Sequence, residues 1–413
     1  MEQLIKFCFS KKLTYLKKHD FLVDYVFNKN IKQKKLNILL LNTPCNGFGD
    51  LIFAVKLFSY LKEYYKNCNL KIATTFSEGL QKLGFSNKNI IKLDSGKRKQ
   101  CRKFKNLKLK TSEHFDLILV APLSFDFTPD INDVKKIIPY ANWWNTYFFS
   151  EYNDAINKGF YFNTGIGKNR DGLFLIKPPV LKKPKINKPF ALVYVAESIP
   201  NVERCIISFT SMVAKKNKFK KFIIIVPPWF SKLRIDKRII KHVAKFYPHI
   251  SIQDSKKERH ITKDHNNSDP HLIFRCDILP VSNVEMLSLM KYSVRDILLT
   301  GDQSITDCLS CCSSKNIFYQ IAEWKIDFAK ELAKLMPNKY LSSVKTSCGT
   351  LDAISYKSNY NRFVKNWNFK KLGKPKLNAV IKAASLLKNP DVKELYDLIH
   401  KSRSIQSFKL KLL

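Results

Sequence analysis

Two short stretches of this chain place glycines beside a carboxylate where an apolar run ends. One is Asn46-Gly47-Phe48-Gly49-Asp50, after Leu36-Asn37-Ile38-Leu39-Leu40-Leu41; the other is Thr300-Gly301-Asp302-Gln303-Ser304, after Asp296-Ile297-Leu298-Leu299. Glycines allow a tight turn and a close approach of backbone to a ligand. A helix that opens at such a turn offers unpaired N–H groups and its positive end, which suits a phosphate. An Asp in that place either caps the helix or takes a proton from an attacking hydroxyl as a general base. For Asp50 both readings stand, because Leu51-Ile52-Phe53 begins an apolar helix. In the second stretch the hydroxyls of Ser304 and Thr306 and the N–H groups of 303–305 make a candidate diphosphate cradle, with Asp302 as a cap or as a group that orients a sugar.

Such turns must sit at the C-terminal edge of a parallel sheet, where open α/β folds bind ligands. The pattern supplies the elements. Strands are expected at 36–41, 70–74, 89–93 and 115–121, with helices at 49–66 and 77–83 between them. The alternation loosens over 139–180, where Trp143-Trp144-Asn145-Thr146-Tyr147-Phe148-Phe149 reads either as a wall of the site or as a domain-closing apolar patch. A linker rich in Pro and Lys spans 177–189. Alternation then resumes with strands at 190–196, 221–226, 250–253, 272–278, 296–299 and 316–319 and helices at 202–217, 231–246, 283–292, 303–312 and 322–336. This βα rhythm implies right-handed crossovers and parallel sheets. The expected fold is therefore α/β, with two Rossmann-like domains facing across a cleft. Residues 1–35 form a basic helical N-terminal segment, 36–180 the first domain, 190–350 the second, and 351–413 C-terminal helices that pack back on the first.

Composition bounds the partners. With 413 residues and 45% apolar content the chain can fill two cores. A formal charge of +39 either follows from a lysine-rich composition or serves an anionic partner. No stretch reaches the roughly 18 apolar residues that cross a bilayer, and the first residues lack the pattern of a signal peptide. A cytoplasmic location is the expectation, and the basic segment 1–35 is either a cap on the first domain or a surface for peripheral contact with anionic membrane. Ten cysteines at irregular spacing suit reduced thiols, with Cys308, Cys311 and Cys312 packing in a core. A third Gly and a ribose-binding acid, as in a dinucleotide fingerprint, are missing; Thr74-Thr75 stands in the acid's place. His260, His265 and His271 with Asp264 and Asp269 match no zinc spacing and read as a solvated loop.

The order of Asn46-Gly47-Phe48-Gly49-Asp50, then Leu279-Pro280-Val281-Ser282-Asn283-Val284-Glu285-Met286, then Thr300-Gly301-Asp302-Gln303-Ser304 resembles the ADP-heptose:lipopolysaccharide heptosyltransferase family of GT-B glycosyltransferases. The resemblance implies an acceptor domain first and a nucleotide-sugar donor domain second. Asp50 would be the general base, with Gly47 and Gly49 shaping its turn. Gly301, Asp302, Gln303 and Ser304 would contact donor sugar and diphosphate, and Ser282, Asn283, Glu285 and Met286 would lie beside the nucleoside. Asp307 stands where the family has a His. Glu197, Ser198 and Arg204 fall near the place of a family Lys, with Arg204 as its substitute at the diphosphate and Glu197 unexpected beside a phosphate. The implied activity is metal-independent transfer of a sugar from a nucleotide sugar, a co-substrate rather than a cofactor, to a glycan, glycolipid or protein hydroxyl. Two alternatives fit the same residues: a non-catalytic basic protein binding anionic polymer or membrane on the same scaffold, and a nucleotide-sugar epimerase or hydrolase. Nucleic acid is disfavoured, since no RNA-binding signature is present.

Overall fold

Strands that are apolar along their whole length are stable when both faces are covered, and this dictates a layered α/β arrangement. The computed structural model describes residues 35–44, 49–65, 68–93, 107–121, 131–142, 145–150, 160–165, 179–199, 202–255, 257–262, 269–312, 315–322, 325–335, 341–346 and 349–354. The expected N-terminal helices, Gly47, Trp143 and Trp144, His265, Asp264 and the tail helices near 376–402 lie outside these residues.

The first sheet is built from β1 (Leu36–Asn42), β2 (Cys68–Thr74), β3 (Ile90–Lys92), β4 (Leu117–Val120), β5 (Thr146–Ser150) and β6 (Phe160–Asn163), with α1 (Gly49–Tyr64), α2 (Ser77–Lys82) and α3 (Ile131–Ile137) between them. Its order is β3-β2-β1-β4-β5-β6, parallel throughout. Alternate residues serve opposite layers. Ile38 and Leu40 pack with Leu51, Leu57 and Leu61 of α1, while Leu39 and Leu41 pack with Val134 and Ile137 of α3. Each such side chain contributes about 1.5–3 kcal/mol on burial.

The second sheet contains β7 (Phe190–Tyr194), β8 (Lys221–Ile225), β9 (His249–Gln253), β10 (Glu258–His260), β11 (His271–Arg275), β12 (Asp296–Thr300), β13 (Asn316–Gln320), β14 (Leu341–Thr346) and β15 (Gly349–Ile354). Its helices are α4 (Val202–Lys216), α5 (Asp236–Val243), α6 (Asn283–Tyr292), α7 (Asp302–Cys311) and α8 (Ile326–Leu335). The order is β10-β9-β11-β8-β7-β12-β13-β15-β14, with a parallel centre and antiparallel edges. α6 and α7 cover one face through Leu287, Met290, Ile305 and Leu309, and α4 covers the other through Ile206, Phe209 and Val213.

Several expectations change. The aromatic run at 146–149 is a core strand rather than a wall: Tyr147 and Phe149 enter the layer under α1 and Phe148 the opposite layer, all at most 2% exposed. The segment before β7 is not an idle linker, because Leu181 and Ile186 pack on the second sheet and the Tyr292 hydroxyl donates to Leu181 O at 3.2 Å. The expected helix at 231–246 shortens to α5 after a 3₁₀ turn at Pro228–Lys232, since Pro227 and Pro228 set a tight turn first. The boundary drawn at 350 cuts through a hairpin, as β15 pairs with both β13 and β14, so residues 351–354 are strand and not helix. His260 and His271 lie on β10 and β11 instead of in a solvated loop. The Cys308 and Cys312 thiols are buried in the core and unbridged, as core packing requires. Among the described residues no helix is long and apolar enough to cross a membrane.

Candidate functional site

Each sheet has one place where the connections part in opposite directions. From β1 the chain crosses to β2, but from β4 it crosses to β5, so the first sheet switches between β1 and β4. From β7 it crosses to β8, but from β12 to β13, so the second switches between β7 and β12. The crevice outside the strand ends at such a point is where open α/β sheets hold ligands. Gly49 and Asp50 lie at the first point, where α1 opens after β1, and Gly301–Ser304 at the second, where α7 opens after β12.

At the first point the fully buried amide of Asn42, the last residue of β1, ties three strand ends together. Its Nδ2 donates to Ala121 O, just past β4, at 2.8 Å and to Asp50 O in the first turn of α1 at 3.2 Å. Its Oδ1 accepts from the Thr74 hydroxyl at the end of β2, 3.2 Å away, and Thr74 in turn receives the Phe76 N–H at 3.1 Å. The backbone of Asp50 is thereby fixed at the strand edge, with the residue half-buried at the positive end of a 16-residue helix. Gly49 is exposed, and a Cβ there would meet nothing within 4 Å.

The second point is stitched by a related device. Gln320, at the end of β13, accepts the Ala196 N–H at 2.9 Å and donates to Ala196 O at 3.2 Å, while its own carbonyl accepts from the Thr300 hydroxyl at 3.0 Å. Gly301 follows with φ of +78°, a left-handed conformation that favours glycine, and serves as the cap position of α7. Asp302 neither caps the helix nor stands alone. Its carboxylate receives the Lys325 ammonium at 2.6 Å and the Tyr319 hydroxyl at 3.3 Å. The cradle is also narrower than expected, because the Ile305 N–H donates to Gly301 O at 3.2 Å and the Thr306 hydroxyl turns back to Asp302 O at 2.6 Å. The amides of 302–304 are the ones a helix start leaves without intrahelical carbonyls. Ser304 sits in that first turn, 8% exposed.

The two points are coupled by a buried cation. Lys56, on α1, donates to the Asp307 carboxylate and, at 2.9 Å, to Gln303 Oε1, both on α7. All three residues are at most 9% exposed. Burial pushes the Asp307 carboxyl above its usual range, and Lys56 pulls it back. A second approach lies beyond α2, where Gly84 (φ +80°) comes so near α6 that a Cβ on it would be 4.0 Å from the Ser282 Cβ.

The remaining candidates divide. Ser282 and Glu285 form a capping box on α6: Glu285 N donates to Ser282 Oγ at 3.3 Å, and Ser282 N donates to the Glu285 carboxylate at 3.0 Å. Bonds from the Ser282 hydroxyl, then its backbone, hold the Glu285 carboxyl below its usual range. Asn283 opens α6, and Met286 packs partly against the second-sheet core. Glu197 and Ser198 are exposed on the turn after β7, at the same edge as Gly301. Arg204 is exposed in the first turn of α4, which opens at that edge but covers the opposite face from α7.

Asn42, Gln320, Lys56 and Lys325 were missed by reading motifs. Three of them carry a signal: Asn42 and Gln320 are polar residues closing apolar strands, and Lys56 interrupts the apolar run Leu51-Ile52-Phe53-Ala54-Val55-Lys56-Leu57-Phe58. A buried polar group needs a partner, so such residues mark tertiary contacts.

No protein-family model matches the chain, and no curated protein matches it. Among solved structures it is similar to the crystal structure of the glycosyl transferase family 9 from Veillonella parvula DSM 2008, at 10% sequence identity and a TM-score of 0.37, over 70% of this chain and 81% of that one.

Proposed function

We propose that this protein is a glycosyltransferase that moves a sugar from a nucleotide-sugar donor to an acceptor hydroxyl. The observation that carries the reading is the coupling of two switch-point helices, α1 and α7, through Lys56 to Gln303 and Asp307. That contact holds together the two helices whose starts would serve the two substrates, and a two-substrate reaction needs its binding elements held in fixed relation. The donor diphosphate binds at the start of α7, on the amides of 302–304 and the Ser304 hydroxyl. Asp302 would repel it, but Lys325 balances that charge. Asp50 accepts the acceptor's hydroxyl proton, the acceptor oxygen bonds to the anomeric carbon, and the nucleoside diphosphate leaves with the electron pair of the broken bond. Helix-start amides, with Arg204 opening α4 at the same edge, stabilise the leaving charge without a metal. Ser282, Asn283 and Met286 border the nucleoside, and Glu197 and Ser198 the sugar. A field of +39 draws the anionic donor and favours an acceptor that is itself acidic or lies on an anionic surface.

A thermal-shift screen of nucleotide sugars and nucleoside diphosphates tests this. At least one donor should raise the melting temperature of the native chain and raise it less in Ser304→Ala. Stabilisation by no donor, joined to salt-sensitive binding of polyanions, would instead support a basic binding protein.

A further inference from the structure

Three histidines that no part of this reaction uses meet at the far end of the second sheet. His249 and His271 begin β9 and β11 and lie directly opposite each other in the parallel register, while His260 ends β10 opposite Ser251. Side chains alternate along a strand, so His249, Ser251, His271, His260 and Glu258 share one face. The His249 and His271 rings stack at 3.6 Å and 2°, and His249 Nε2 lies 2.8 Å from His260 Nδ1. One nitrogen from each of the three rings falls within 4.8 Å of the others. Nitrogens on a tetrahedral zinc, bound at about 2.0–2.1 Å, stand roughly 3.3 Å apart, so side-chain rotation closes the set. Glu258 stands beside them, with an oxygen 3.7 Å from His271 Nε2 and a hydrogen bond from the Ser251 hydroxyl at 2.5 Å. Burial grades from His249, inside, to His260, exposed, which leaves a way in for an ion.

We propose that His249, His260 and His271 bind one divalent transition-metal ion of the zinc class, with the Glu258 carboxylate as fourth ligand. Three imidazoles and a carboxylate are a borderline donor set that suits zinc and disfavours magnesium or calcium. Lys221, opposite His271 in the register, brings a like charge to the site, which weakens it without blocking it. His249 and His271 occupy the N-terminal ends of parallel strands, whereas the proposed transfer site lies past the C-terminal ends. The ion is therefore structural: it fastens the three-residue antiparallel edge strand β10 to β9 and β11.

The test uses metal-stripped full-length protein titrated with zinc alone, followed by desalting and metal analysis, and with cobalt(II) followed by its visible absorption. The expected result is one zinc per chain, nitrogen-type cobalt bands and a higher melting temperature with metal. His260→Ala, exposed and therefore safe for the fold by circular dichroism, should weaken binding at least tenfold and abolish the thermal gain, and His271→Asn should do the same. Absence of stoichiometric binding by the native chain, or equal binding by native chain and His260→Ala, overturns the proposal.

Discussion

The two switch points use the same parts in opposite ways. At the first, a buried amide, Asn42, holds the backbone of a half-buried acid at the start of α1. At the second, a buried amide, Gln320, holds the strand ends, but the acids of α7 are both buried and both matched by lysine: Asp302 by Lys325 and Asp307 by Lys56. An acid whose charge is balanced inside the fold can sit beside a phosphate without repelling it. Asp50, by contrast, is half-buried rather than enclosed. The proposed division of labour, proton acceptance at the first edge and anion binding at the second, rests on this difference in burial, and every member of it can be broken separately.

The largest effect is expected at Lys56. Lys56→Met strands the Asp307 carboxylate in the interior and should cost about 3–5 kcal/mol, read by urea unfolding. The double variant Lys56→Met with Asp307→Leu replaces both charges with apolar groups and should recover most of that loss. If the single variant unfolds at the native urea concentration, the coupling between the helices is not a buried ion pair.

Next come the two stitching amides. Asn42→Ala removes a donor from the carbonyls of Asp50 and Ala121, and Gln320→Ala removes both partners from the backbone of Ala196, each at about 1–3 kcal/mol. Their kinetic signatures should differ: Asn42→Ala lowers kcat because the acid loses its anchor, and Gln320→Ala raises the donor KM because the start of α7 shifts. Identical signatures from the two variants would erase the proposed division of labour. The smallest effect belongs to Ser282→Ala, which removes the α6 capping box for about 1 kcal/mol and, since Ser282 borders the nucleoside, should raise the donor KM slightly more than it lowers kcat in the same transfer assay.

How much of this could be read from sequence follows from the range of the forces involved. Parallel strands buried on both faces leave long apolar runs, so β1, β7, β12 and β13 were legible within a residue or two, as was α6, whose capping box is a local signal. The aromatic strand β5 was misread because Tyr147-Phe148-Phe149 serves two layers at once, and a run of aromatics has the same appearance in a core strand and in a binding wall. The hairpin β14–β15 escaped because its strands, Leu341–Thr346 and Gly349–Ile354, contain serine, lysine, threonine and aspartate among their apolar residues. In the site, the glycine–acid turns were visible. Their partners were not: Lys56 lies 247 residues from Gln303, and no local pattern reports a contact at that separation. The histidine cluster was hidden for the same reason, since strand register rather than sequence spacing brings His249, His260 and His271 together.

The central claim is that the acid of the first edge takes a proton while the second edge holds the donor. Steady-state transfer kinetics of Asp50→Asn, with donor affinity measured in parallel, tests it most directly. The expected kcat is lower by about 10²–10⁴-fold with donor binding unchanged, because a carboxamide keeps the size of the group and loses its basicity. A folded Asp50→Asn that transfers sugar at the native rate would contradict it.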